Sequence, residues 1–216
     1  MSELENTIRT TLEFILKTNI SKRNPSFKKI DRQVSMPREY IIDAVKSAEP
    51  YYIADEVLFF YLAINDLLVD YGGYLLSNNE PLNGNIFLLF PFELVMALSP
   101  LVRMMSWKDL EPYPNLFVGD GYFLNTCRLE APQAHAPISC CLKFEEDEIL
   151  SYSNLTNFLL MVAECYETNA YYYDQSESWM ADWREDFSKS EVIFHKYNPG
   201  LKFRSPNKLE HFELNY

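Results

Sequence analysis

The clearest periodicity in the chain runs from Ser151 to Tyr173, SYSNLTNFLLMVAECYETNAYYY. Leu155, Phe158, Leu159, Val162 and Tyr166 recur at spacings of three and four, the apolar stripe of an amphipathic helix. Ser153 or Asn154 is placed to cap its start, because either side chain can accept a hydrogen bond from a first-turn amide that has no partner within the helix. Asn169 is placed to end it, asparagine entering the left-handed conformation more readily than most residues other than glycine. The tyrosines that follow have apolar bodies and polar tips, which suits the rim of a core.

The same patterning predicts the remaining elements. Residues 3–20 read as a helix with Leu4, Ile8, Leu12, Ile15 and Leu16 on one side. Ser21 to Ser35 is basic and polar, contains Pro25 and holds no period, so it reads as a linker that leaves the first helix as an outlying N-terminal extension. Pro37 opens a short helix to about Ser47, a first-turn position that tolerates proline, and Pro50 closes it. Asp55 to Val69 is a second strong helix, with Val57, Phe60, Tyr61, Ile64, Leu67 and Leu68 on a wide apolar face and Tyr71-Gly72-Gly73 as its stop. Ile86 to Pro91 reads as a buried strand, and Phe92 to Met105 as a helix bent or shortened by Pro100.

A run of strand patterns follows. Leu116–Val118 and Tyr122–Leu129, joined by Gly119-Asp120-Gly121, read as two strands with a tight connection. Pro132 to Pro137 is a loop. Ile138, Cys140, Leu142 and Phe144 alternate with Ser139, Cys141 and Lys143, the period of a strand with one buried face. Glu145 to Glu148 reads as a charged turn leading into the central helix. Ser188-Lys189-Ser190-Glu191 has capping-box spacing and opens a helix to about Tyr197, which Asn198-Pro199-Gly200 ends. The last sixteen residues carry no period and read as a mobile tail. Three or four antiparallel strands flanked by helices make an α+β domain, an antiparallel sheet covered by helices with an N-terminal helical extension.

Composition narrows the function more than the fold. A chain of 216 residues with 48% hydrophobic content has ample material for a core. The formal charge of −12 is uneven: residues 51–183 hold 4 Lys+Arg against 19 Asp+Glu, a balance of −15, while both ends are slightly basic. A field of that sign repels phosphates and argues against a nucleic-acid partner; it suits a basic protein, and plain solubility explains it equally. Met1 is followed by Ser-Glu-Leu-Glu, the wrong charge for a signal peptide, and the longest apolar runs, Val57–Ile64 and Ile86–Phe92, are too short to span a bilayer. A cytoplasmic protein is expected, away from the membrane, with Cys127, Cys140, Cys141 and Cys165 as reduced, mostly buried thiols.

Candidate chemistry is sparse. The only histidines are His135, His195 and His211, and no HExxH, GxSxG or Gly-rich phosphate loop is present. Glu145–Glu148 lacks EF-hand spacing, and Glu164 with Glu167 forms a carboxylate pair without a third ligand. No catalytic residue, metal or organic cofactor is expected. Trp179 and Trp183, in WMADW, would share one face of a helix amid Ser, Asp and Glu. Two large indoles with polar neighbours are either a contact patch or a lid folded over the central helix. With Tyr171 and Tyr172 they form the candidate partner-binding set.

In order, the segments resemble the SUKH superfamily, in the Smi/Knr branch named after a fungal regulator of cell-wall synthesis. The matching parts are the helix ending in the Gly-rich stop at Gly73, FPFELVMAL from Phe90, the hairpin around Val118-Gly119-Asp120-Gly121-Tyr122-Phe123, and the Pro137-Ile138 strand. They continue with the Ser153–Phe158 helix start, Ala163-Glu164-Cys165-Tyr166-Glu167, and Lys196-Tyr197-Asn198-Pro199-Gly200. The last two are the most specific, resembling a bacterial subgroup in which glycine tends to stand where Asn169 is here. The resemblance covers residues 35–200, leaving 1–34 as helix and linker and 201–216 as a tail. It implies a non-enzymatic protein-binding module, either a regulatory scaffold or an immunity-type inhibitor of a partner protein such as a toxin, and it brings no catalytic motif. The alternatives are a small-molecule or peptide sensor using the aromatic rim, and a hydrolase using the acidic residues.

Overall fold

The structure is a computed structural model that describes residues 1–22, 37–46, 52–71, 115–119, 122–126, 129–142, 148–174 and 182–203. Eleven elements follow one another: α1 (Glu3–Lys22), α2 (Arg38–Lys46), α3 (Asp55–Tyr71), β1 (Asn115–Gly119), β2 (Tyr122–Thr126), β3 (Ile138–Leu142), β4 (Glu148–Tyr152), α4 (Leu155–Glu167), β5 (Tyr171–Asp174), β6 (Asp182–Glu185) and α5 (Phe187–Tyr197). The first four strands form an antiparallel meander in chain order, and β5 and β6 pair as a separate two-stranded ribbon. The class is α+β.

The central helix forms where its stripe demands it. Leu155, Phe158, Leu159, Val162, Cys165 and Tyr166 are all buried. Of the two candidate caps, Asn154 is the one used: its side chain accepts from the Asn157 amide at 2.7 Å. At the other end Asn169 takes a φ of 53°, the left-handed conformation that turns the chain out of the helix.

Four expectations change. First, α1 is not an outlying arm: Ile8, Leu12, Ile15 and Leu16 are buried, and the helix packs against both α3 and α4. An aperiodic linker says nothing about where the helix before it docks, whereas a continuous apolar stripe requires a partner somewhere. Arg9 Nη1 to Asp66 Oδ2 at 2.7 Å ties α1 to α3, and Arg38 Nη2 to Glu5 Oε1 at 2.6 Å ties α2 to α1.

Second, Glu148 belongs to a strand rather than a turn. β4 pairs with β3, and a register irregularity between Ile138 and Ser139 sets Tyr152 opposite Ile138. Glu148 and Ser151 interrupt the apolar alternation, so the strand is made by its backbone pairing and leaves little trace in the hydropathy pattern. Third, the cap of α5 is Asp186, whose side chain accepts from the Lys189 amide, so Ser188 lies inside the helix rather than at its cap. The acidic residue two positions earlier offers the same acceptor. Fourth, the C-terminal tail does not begin at 201, since Leu201 and Phe203 pack on the core and the Phe203 ring stands edge-on to Phe194 at 5.4 Å. The strand expected at 86–91, the helix expected at 92–105 and Trp179 lie outside the described residues.

Candidate functional site

Three polar clusters converge on α4, and each is built from a side chain able to do chemistry. The first is Glu56, in the opening turn of α3, with 0% of its surface exposed. Its Oε1 accepts from the amides of Ala136 at 3.0 Å and Leu155 at 3.2 Å. Its Oε2 accepts from the Thr156 amide at 3.0 Å, the Thr156 hydroxyl at 2.8 Å and His135 Nδ1 at 2.9 Å. One carboxylate therefore caps the first turn of α4, favoured there by the helix dipole, and fastens the loop before β3. The same loop is held from its backbone, because the amides of Asp55 and Glu56 donate to the carbonyls of Gln133 and Ala134, each at 3.1 Å.

Sequence reasoning passed over Glu56, although a signal was there. It sits four, seven and eleven positions before Phe60, Ala63 and Leu67, on the buried stripe of its own helix. A carboxylate on that stripe must find donors inside the protein. His135, half-exposed in the expected loop, is one of them.

The second cluster joins α4 to α5. Glu164 Oε2 accepts from Lys196 Nζ at 2.5 Å and from the Tyr197 hydroxyl at 2.6 Å. Asn157 Nδ2 donates to the Tyr197 carbonyl at 2.8 Å, and the Ser153 amide donates to Oδ1 of the fully buried Asn198 at 2.8 Å. The Ala163–Glu167 and Lys196–Gly200 segments singled out in the sequence thus meet in space as a fastener between two helices. Glu164 is taken up in that fastener, and Glu167 is exposed.

The hydrogen bond from Lys196, then that from Tyr197, hold the Glu164 carboxyl below its ordinary range. A carboxyl depressed on folding stabilises the protein above the unfolded value, and the contribution is lost as pH falls through the folded one. Tyr197→Phe and Lys196→Met are each expected to flatten that acid limb of the stability profile. A profile unchanged below the usual carboxylate range in both variants would show the fastener to be energetically silent. The groups are partly exposed, so at neutral pH each variant is expected to lose no more than about 1 kcal/mol.

The third cluster contains Tyr171 and Cys165. Tyr171 is 1% exposed and stands edge-on to Tyr166 at 5.5 Å. Burial pushes the Cys165 thiol up to about 12, against a smaller opposing effect of its hydrogen bond with Tyr171, so it is not a nucleophile at neutral pH. Beside them, the Ser190 hydroxyl donates to Glu185 Oε1 at 2.5 Å.

The four partner-binding candidates therefore separate. Tyr171 is core and presents no surface to a partner, because strand alternation turns it inward onto α4. Tyr172, the next residue, is 40% exposed and stands opposite the exposed Arg184 in the β5–β6 register. Trp183 lies in β6 opposite Tyr173, one position out of step with that pair. Because 182–185 is a strand, the argument that placed Trp179 and Trp183 on one helical face does not hold. Backbone pairing to β5 decides this segment, and its helical spacing is incidental.

No family model and no curated protein matches this chain.

Among the described residues, no group of three or more His, Cys, Asp and Glu side chains is arranged to hold a metal ion. No helix among them is long and apolar enough to cross a membrane. The chemistry this arrangement supports is structural: two carboxylates, Glu56 and Glu164, each gather donors from separate segments and hold α3, α4, α5 and the loop before β3 in one body.

Proposed function

We propose that the chain is a non-enzymatic protein-binding module of the cytoplasm, acting as a regulatory scaffold or as an immunity-type inhibitor of a basic partner. One observation carries the reading. Side chains with chemical potential, Glu56, Glu164, Cys165 and Tyr171, are bonded into the fold, while the aromatics Tyr40, Tyr52, Tyr172 and Phe187 stand exposed. Exposed rings are what a binding surface uses, since aromatic anchors dominate interface energetics. The acidic stretch 51–183 adds long-range attraction for a basic partner. The resemblance to the Smi/Knr branch points the same way.

A hydrolase built on acidic residues has one observation in its favour, the Glu56–His135 pair. Both Glu56 oxygens are occupied by donors and enclosed, so the carboxylate orients the imidazole and does not reach a substrate.

The test is capture of host proteins on the immobilised full chain, with the captured protein identified and its affinity measured. Tyr172→Ala is expected to weaken that affinity by at least about tenfold, roughly 1.4 kcal/mol, with the melting temperature nearly unchanged. Capture of no specific protein, or turnover of a substrate by the purified chain, would defeat the reading.

A further inference from the structure

The fastened loop before β3 has a chemical consequence at the surface. An ionised carboxylate only accepts hydrogen bonds, so the 2.9 Å contact between Glu56 Oε2 and His135 Nδ1 places the proton on Nδ1. In the neutral imidazole, Nε2 is then an acceptor. The ring is 47% exposed at the side chain, and its anchoring carboxylate is wholly buried. An exposed histidine ordinarily samples both tautomers and many rotamers; this one is held in one.

Backbone hydrogen bonds gather other acceptors beside it. The Tyr52 amide donates to the Leu129 carbonyl at 3.1 Å, and the Asp55 amide donates to the Gln133 carbonyl at 3.1 Å. Tyr52, Asp55, Glu130 and His135 are therefore neighbours across two adjoining segments, and all four are exposed. Residues 47–102 contain no Lys or Arg at all, nor do residues 129–142. The face offers two carboxylates, an imidazole nitrogen and a phenol ring, and neither segment brings a cation to it. It is also rigid, so a partner loses little to ordering it.

We propose that the face formed by Tyr52, Asp55, Glu130 and His135 receives a cationic, donor-rich segment of a partner protein. Lys or Arg side chains of that segment bond to the carboxylates and to His135 Nε2, and one stacks on the Tyr52 ring. The inference rests on the protein-binding reading and names the surface and the partner's chemistry.

The probe is a short end-blocked peptide of alternating lysine and glycine, titrated into the isotope-labelled full chain and followed by nuclear magnetic resonance. The imidazole nitrogen spectrum is expected to show the Nδ1–H tautomer at His135, and amide shifts are expected to concentrate at 52–56 and 129–137. Glu130→Lys is expected to weaken the peptide about tenfold. Glu167→Lys, an equal charge change on the exposed end of α4, is expected to weaken it less than about twofold. Pro132→Gly, which loosens the loop without altering charge, is expected to weaken it about twofold to threefold. Equal losses in the two charge reversals, shifts scattered over the surface, or an Nε2–H tautomer at His135 would each overturn the inference. None of those results bears on whether the chain captures a host protein, so the broader reading stands or falls on its own experiment.

Discussion

Glu56→Ala is expected to destabilise the protein by about 3–5 kcal/mol, enough to unfold a marginal domain at ambient temperature. The loss does not measure a strong net attraction. Burying a carboxylate is itself costly, and the enclosed donors offset that cost. Removing it leaves the amides of Ala136, Leu155 and Thr156 buried with no acceptor, each at a penalty of about 1–3 kcal/mol before relaxation. Glu56→Gln keeps one acceptor oxygen but turns the other position into a donor facing donors, so it is expected to lose nearly as much. His135→Ala removes only the half-exposed member and is expected to cost about 1 kcal/mol or less. Urea titrations of the three variants decide the matter. An Ala variant within about 1 kcal/mol of the parent would mean that water replaces the carboxylate and that α4 does not depend on it.

Phe158→Ala is the second large effect, expected at about 3–5 kcal/mol. The ring is fully buried and stands edge-on to Tyr152 at 4.7 Å, and Tyr152 in turn meets Phe194 at 5.9 Å. Phe194 continues the series to Phe203 at 5.4 Å, so β4, α4, α5 and the residues after α5 share one aromatic seam. Deleting its first member leaves a cavity that fixed neighbours close only in part, and the cost adds to the lost transfer free energy. Val192→Ala, on the outer face of α5 at 72% exposure, is the matched control and is expected to stay within about 0.5 kcal/mol of the parent. A Phe158 variant as mild as that control would place the buried face of α4 elsewhere.

The two effects differ in how they could be foreseen. Phe158 is legible from its spacing to Leu155, Leu159 and Val162, because helical period alone says which side of α4 is buried. Tyr172 was legible as a surface candidate only together with Tyr171. Strand alternation then sent one inward and the other outward, a choice that composition does not contain. Trp183 shows the converse error. Its spacing to Trp179 is helical, yet β5 lies close enough to claim 182–185 as a strand.

What the amino-acid sequence determined by itself is the local inventory. Periodicity placed α1, α2, α3, α4 and α5 and the alternating strand β3, and side-chain chemistry placed Asn154 at one end of α4 and Asn169 at the other. These follow from interactions within a few residues, where the chain's own geometry brings donor to acceptor. The tertiary structure alone decided the rest. Glu56 meets its partners 80, 99 and 100 residues away, α1 docks on α3 and α4 across an aperiodic linker, and β4 exists because β3 is beside it. A hydropathy pattern records that a face must be buried and says nothing about what will bury it. The donors that make an enclosed carboxylate tolerable are fixed only once distant segments have packed around it.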